Sequence, residues 1–213
     1  MRTFKQLLSL CLCLAVVLAL AGCGAPKMAP PALEESALAA YSDEEMSFSY
    51  PGEAWAAAEG TYPPTLYYKD TYGSEQAVNV NLQRLDERTS PVNDTFIQSF
   101  MAGTYSPEMG ITPQLSELRS LAGEPAMYLE TTVQLTDAML DTMIQAGLLS
   151  EESLAAAGGR EFYLSLPATN QITMATVREG YLWVSTGSYH DESQKQALTD
   201  AMPTLLTTCA PVG

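Results

Sequence analysis

An α+β domain, a mostly antiparallel sheet flanked by helices, is the architecture this sequence predicts. Two patterns carry the prediction. Short segments of period-two alternation come in pairs joined by turn residues, and single amphipathic helical stretches interrupt them without the regular strand–helix alternation of a parallel sheet. Met46-Ser47-Phe48-Ser49-Tyr50 places Met46, Phe48 and Tyr50 on one face before Pro51-Gly52 stops the strand. A short strand ending near Trp55 follows. Thr65–Lys69 and Gln76–Leu85 form a hairpin around Asp70-Thr71-Tyr72-Gly73-Ser74. In its second arm Val78, Val80 and Leu82 alternate with Asn79, Asn81 and Gln83, so one face is expected dry and the other wet. Ser90-Pro91 opens a helix with Val92, Phe96, Ile97, Phe100 and Met101 on one stripe, ended by Gly103. Strands Gln114–Leu121 and Ala126–Leu135 come next, joined by Ala122-Gly123-Glu124-Pro125. Leu135–Ala157 reads as helical, divided by Gly147 and Ser150 and closed by Gly158-Gly159. Then come strand Glu161–Leu166, strand Gln171–Arg178, the turn Glu179-Gly180 and strand Tyr181–Ser188. A helix from Asp191 ends the chain, and Pro203 predicts a kink or restart in it.

The N-terminus is not part of that domain. Behind Arg2 and Lys5 an apolar stretch runs from Leu7 to Leu20, broken by Ser9, and closes on Leu20-Ala21-Gly22-Cys23. A basic start, an apolar middle and small residues at the cut are the parts of an export signal. About fifteen apolar residues give a helix of roughly 22 Å, short of the ~30 Å hydrocarbon core, so an uncleaved span is the weaker reading. The segment resembles a bacterial lipobox. Residues 1–22 are then a signal peptide, Cys23 carries a diacylglyceryl group, and the chain sits on the extracytoplasmic face of the cell membrane. Acyl chains of the palmitate type contribute ~0.8 kcal/mol per buried methylene, and two of them hold stably. Residues 23–42, rich in Pro, Ala and Glu, are expected to be a flexible tether, leaving 43–213 as one globular domain.

Loss of Cys11 and Cys13 with the signal and lipidation of Cys23 leave Cys209 as the one free thiol, so no intrachain disulfide forms. A lone cysteine there reads as a small buried hydrophobe. Removing Arg2 and Lys5 with the signal takes the formal charge from −15 to −17. The remaining basic residues are scattered, so polyphosphates are repelled and a nucleic-acid partner is excluded.

The search for chemistry finds few candidates. His190 is the single histidine, so a zinc site or a Ser-His-Asp triad would rest on it alone, with Ser188, Asp191 and Glu192 beside it. The acidic runs Asp43-Glu44-Glu45, Asp86-Glu87 and Glu151-Glu152 lack the spacing of a calcium loop and read as solvated faces. No metal site, cofactor or catalytic residue is assigned. Tyrosine is the unusual supply. Tyr62, Tyr67, Tyr68 and Tyr72, beside Pro63-Pro64, gather around the early hairpin and are the candidate partner-binding residues, suited to stacking on a sugar or a peptide.

The pattern Phe48-x-Tyr50-Pro51-x-x-x-Trp55, a central helix, long strands, the turn segment Glu179-Gly180-Tyr181-Leu182-Trp183-Val184-Ser185-Thr186 and a last helix resembles the PsbP-like fold. That family holds the extrinsic photosystem protein, a Ran-binding import factor and many small bacterial lipoproteins. The resemblance implies an α/β/α sandwich used for binding or assembly, and brings no catalytic residues. Residues 136–159 form a helical insertion foreign to the pattern. The expected function is therefore a non-enzymatic binding or assembly module, anchored to the membrane through its lipid and meeting an unidentified envelope protein or component. The alternative is an envelope hydrolase or cation-dependent enzyme using His190 and nearby acids.

Overall fold

The computed structural model describes residues 37–74, 77–189, 192 and 194–212. The expected signal peptide (1–22), Cys23 and His190 lie outside them. In chain order the strands and helices are β1 (Leu38–Ser42), β2 (Met46–Pro51), β3 (Trp55–Ala57), β4 (Thr65–Tyr68), β5 (Asn79–Glu87), α1 (Asp94–Thr104), β6 (Ile111–Leu121), β7 (Glu124–Val133), α2 (Asp137–Gln145), α3 (Glu151–Ala156), α4 (Arg160–Ser165), β8 (Thr169–Arg178), β9 (Tyr181–Tyr189), α5 (Lys195–Thr208) and β10 (Ala210–Pro211). The class is α+β. Seven strands form one antiparallel sheet in the order β3-β4-β5-β9-β8-β7-β6, and β1-β2-β10 form a second.

The hairpin turns follow from local chemistry. Ala122-Gly123 and Glu179-Gly180 hold φ of 51° and 93°, and of 50° and 78°, the paired left-handed conformations that match the twist of two flanking strands. Helix starts are capped by side chains. Asn93 accepts from the Phe96 amide at 2.9 Å, Thr136 from Met139 at 3.2 Å and Ser150 from Ser153 at 3.0 Å.

Both faces of the large sheet are covered. On one face Trp55, Val80, Leu82, Ile172 and Trp183 pack against Leu198, Met202 and Leu205 of α5 and against Met46 and Phe48 of the small sheet. On the other, Ile97 and Phe100 of α1 lie over Met127, Leu129, Ala175, Leu182 and Val184. A third cluster joins Ile111 and Val133 to Met139, Leu140 and Met143 of α2 and Leu154 of α3. Each large side chain buried there contributes roughly 1.5–3 kcal/mol.

Four expectations need correction. Leu38–Ser42, placed in the tether by composition, forms β1 against β2, from Leu38 opposite Pro51 to Ser42 opposite Ser47. Tyr41 stacks on Phe48 there with ring centroids 4.8 Å apart, so a residue from the alanine-rich stretch joins the core. Residues 161–166, read as a strand, are instead the helix α4 with its end. The Arg160 guanidinium pairs with Asp137 at 3.2 Å and Asp141 at 2.5 Å, one turn apart on α2, which fixes the start of α4. The last helix begins at Lys195 and runs through Pro203 without restarting. The face of β5 expected to be wet is buried, with Asn79, Asn81 and Gln83 between 0% and 8% exposed. That strand sits third in the sheet with neighbours on both sides, and the alternation gave sidedness without saying what covers each side.

Candidate functional site

The four candidate tyrosines do not form one cluster. β4 alternates faces, so adjacent Tyr67 and Tyr68 point oppositely. Tyr68 turns to the α5 face and packs on Trp55, ring centroids 5.4 Å apart. Tyr62 is 66% exposed, follows its own course before Pro63, and donates its hydroxyl to Glu45 at 2.9 Å. Tyr67 and Tyr72 meet. Their rings stand edge to face at 5.4 Å, and Tyr72 is 71% exposed.

These two rings line a recess of about 670 Å³ at the β3–β4 edge of the sheet. Ala56, Ala57 and Ala58 give it a low floor, because methyl groups leave room above the strand. Glu59, Thr61 and Lys69 supply its polar rim. The Lys69 ammonium donates to the Gly52 carbonyl at 2.5 Å, which ties the rim to the turn before β3. Burial, and then the neighbouring Tyr72, push the Tyr67 hydroxyl above its ordinary pKa, so Tyr67 is a neutral phenol near neutral pH.

Tyr67 also begins a row of side chains that crosses the sheet on the α1 face. Strand register sets Ala56, Tyr67, Asn79, Ser188, Gln171 and Thr131 side by side. The next row on the same face is Thr65, Asn81, Thr186 and Thr173. From Asn79 and Thr65 onward these side chains are at most 5% exposed, and none carries a charge. The Gln171 amide donates to Ser188 at 3.2 Å, and the Thr173 and Thr186 hydroxyls lie 3.4 Å apart. Asn81 Oδ1 and Gln171 Oε1 have no hydrogen-bond partner among the described residues. A buried amide oxygen left so costs ~1–3 kcal/mol.

A second polar group was missed by the sequence reading. Glu130 of β7 accepts from Tyr128 at 2.7 Å, from the Lys195 ammonium at 2.6 Å and from Tyr189 at 3.4 Å. Burial and the Glu130 carboxylate push the Tyr189 hydroxyl up to about 12. The signal that would have found the pair is Lys195 itself, a cation in the first turn of a helix, where the macrodipole disfavours it. A carboxylate had to be near. The group ties the start of α5 to the sheet and offers no nucleophile.

The acidic runs stay apart from both groups. Asp43 accepts from the Glu45 and Met46 amides at 2.8 Å each and from Tyr41 at 2.8 Å, which makes it a turn former. Glu151 and Glu152 occupy the first turn of α3. No set of three or more His, Cys, Asp or Glu side chains that could hold a metal occurs among the described residues. Cys209 is free and fully buried.

No family model matches the chain, and no curated protein matches its sequence. Solved structures do. The fold is similar to a protein of Bacteroides thetaiotaomicron VPI-5482 (TM-score 0.40, 8% identity, 79% of this chain and 45% of that one). This chain therefore spans under half the length of that protein. It is similar to cyanobacterial PsbP (CyanoP) from Synechocystis sp. PCC 6803 (TM-score 0.39, 14% identity, 88% of this chain and 99% of that one). It is also similar to LpqN, involved in cell envelope biogenesis in Mycobacterium tuberculosis (TM-score 0.40, 10% identity, 79% and 83%).

Proposed function

We propose that this protein is an extracytoplasmic lipoprotein, held to the membrane by a diacylglyceryl group on Cys23, that works by binding an envelope component at the Tyr67–Tyr72 recess. The anchor rests on the residues from Arg2 to Cys23. Among the described residues no helix is long and apolar enough to cross a membrane. The observation that carries the binding role is the pair of edge-to-face tyrosine rings at a recess of about 670 Å³, one ring 71% exposed. That volume lies within the ~300–1,000 Å³ usual for ligand sites. An exposed aromatic ring beside small alanines, with Glu59, Thr61 and Lys69 at the rim, suits a partner with both apolar faces and polar groups, such as a sugar of the envelope or the side chains of a partner peptide.

Two measurements test this. Mass spectrometry of the mature protein is expected to find Cys23 as a lipid-modified first residue, and an unmodified N-terminus at another position refutes the anchor. Capture of envelope components by wild type is expected to fall at least tenfold in Tyr72→Ala, with unchanged thermal unfolding, and to survive His190→Ala. Turnover of a small molecule that His190→Ala abolishes would refute the binding role and favour the envelope enzyme.

A further inference from the structure

The large sheet ends on β6, eleven residues long, and no other described strand pairs with its outer edge. The opposite edge, β3, has three residues. A long open edge presents unpaired N–H and C=O groups on alternate residues and invites another strand. On β6 a register shift between Pro113 and Leu115 breaks one end, and the Ala122-Gly123 turn closes the other. The regular segment between them is Leu115-Ser116-Glu117-Leu118-Arg119-Ser120-Leu121. It reads the same in both directions except that Glu and Arg exchange.

We propose that two copies of this chain associate edge to edge along β6, antiparallel and two-fold symmetric about Leu118, joining two seven-stranded sheets into one. In that register Leu118 faces Leu118, each Ser116 faces Ser120, each Leu115 faces Leu121 and each Glu117 faces Arg119. Residues opposite one another share a sheet face, so the match must hold on both faces. It does. Leu118 sits beside Met127 on the α1 face, with Ser116 and Ser120, while Glu117 lies beside Tyr128 on the α5 face, with Arg119 and Leu121. Leu115 and Leu118 are 38% and 43% exposed in the single chain and gain apolar partners. Arg119 already pairs with its own Glu117 and lies 3.3 Å above the Tyr128 ring, so the dimer completes a square of alternating charge. Sliding by two residues either way sets Glu117 against Glu117 or Arg119 against Arg119, which excludes the neighbouring registers. The contact is independent of what the tyrosine recess takes.

Cysteine cross-linking in membranes bearing the full chain tests it. Leu118→Cys is expected to give a reducible dimer above the wild-type baseline. Ser116→Cys and Ser120→Cys each stand about 13 Å from their own counterparts across the two-fold, at ~3.3 Å per residue, and are expected to stay at that baseline. Glu117→Arg in the Leu118→Cys chain sets arginine against arginine twice and is expected to weaken association about tenfold. Adding Arg119→Glu restores it. Equal cross-linking at all three positions, none at Leu118→Cys, or indifference to Glu117→Arg overturns the proposal, and in the second case the edge is free or belongs to a different protein.

Discussion

Replacing Lys195 by methionine isolates the contribution of the Glu130 network. The two side chains are 17% and 16% exposed, so the pair is neither a surface bridge, at ~0–1 kcal/mol, nor a fully desolvated one, where losing a partner costs ~3–5 kcal/mol. Lys195→Met keeps an unbranched side chain of similar length but removes the ammonium, which lies 5.6 Å from the Tyr189 ring centroid, and leaves the Glu130 carboxylate with the Tyr128 and Tyr189 hydroxyls alone, at 2.7 and 3.4 Å. Those two donors solvate the anion in part. The expected loss is therefore about 2–3 kcal/mol, read from urea unfolding at pH 7. At roughly 2–4 °C per kcal/mol for a domain this size, the midpoint falls by about 4–12 °C. Glu130→Gln alone leaves the ammonium with only the exposed Glu192 carboxylate, 3.5 Å away. The double variant leaves no buried charge without its partner and is expected to lose at least ~1 kcal/mol less than the two single losses added together. Lys195→Met within 0.5 kcal/mol of wild type (about the error of one such measurement), or strict additivity in the cycle, would show that the network holds nothing in place.

Three further outcomes follow from buried groups. Burial and Glu130 hold the Tyr189 hydroxyl near 12, burial and the Asp43 hydrogen bond hold Tyr41 near 12, and burial raises Tyr105 and Tyr128 as well, against 10.0 unperturbed. A raised folded-state pKa means that the unfolded chain releases protons first, so this stability is whole below pH 10 and is lost as pH rises toward 12. Circular dichroism across that range checks it, and a midpoint unchanged from pH 9 to 12 would refute it. Burial also pushes the Cys209 thiol up to about 12, so it should resist thiol reagents at pH 8 in the native protein and react fully in 6 M guanidinium. Gly187→Ala sets a methyl group into Leu198 of α5, with the Asn79 carbonyl 3.3 Å away on another side, and should cost ~1–3 kcal/mol in chemical unfolding.

What was legible in the sequence was whatever local pattern decides. The hairpin of β8 and β9 shows in the alternation on either side of Glu179-Gly180, and the break between α2 and α3 in Gly147 and Ser150. Contacts between distant residues were not legible. Phe162, Tyr163, Leu164 and Leu166 look strand-like because aromatic and alternating residues favour pleated surfaces. Yet Arg160 finds Asp137 and Asp141 on α2, and Tyr163, Leu164 and Leu166 then meet the cluster under it, so the segment coils. β1 was hidden for the same reason, since its partner β2 and the Phe48 ring decide its conformation rather than its own alanines.

The candidate site divides along the same line. Counting tyrosines pointed to one hairpin, but composition carries no facing, and the one-residue step from Tyr67 to Tyr68 sends one ring to the recess and the other into the core beside Trp55. The Asn79-x-Asn81-x-Gln83 face misled for a deeper reason. Polar alternation usually marks solvent because a buried amide needs a partner. Here the polar side chains of four adjacent strands fall into common rows and partly satisfy one another, as Gln171 does with Ser188 and Thr173 with Thr186. Two acceptors, on Asn81 and Gln171, remain without a donor among the described residues. A sheet built only to be packed would fill these positions with valine and isoleucine, as the opposite face does with Val80, Leu82 and Ile172. Under the binding role proposed above, the row that contains Tyr67 would keep its amides to hydrogen-bond something other than the sheet itself. Replacing Gln171 with leucine separates the two uses: a gain in stability together with a loss of capture assigns the rows to binding, and a loss of stability with capture intact assigns them to the fold alone.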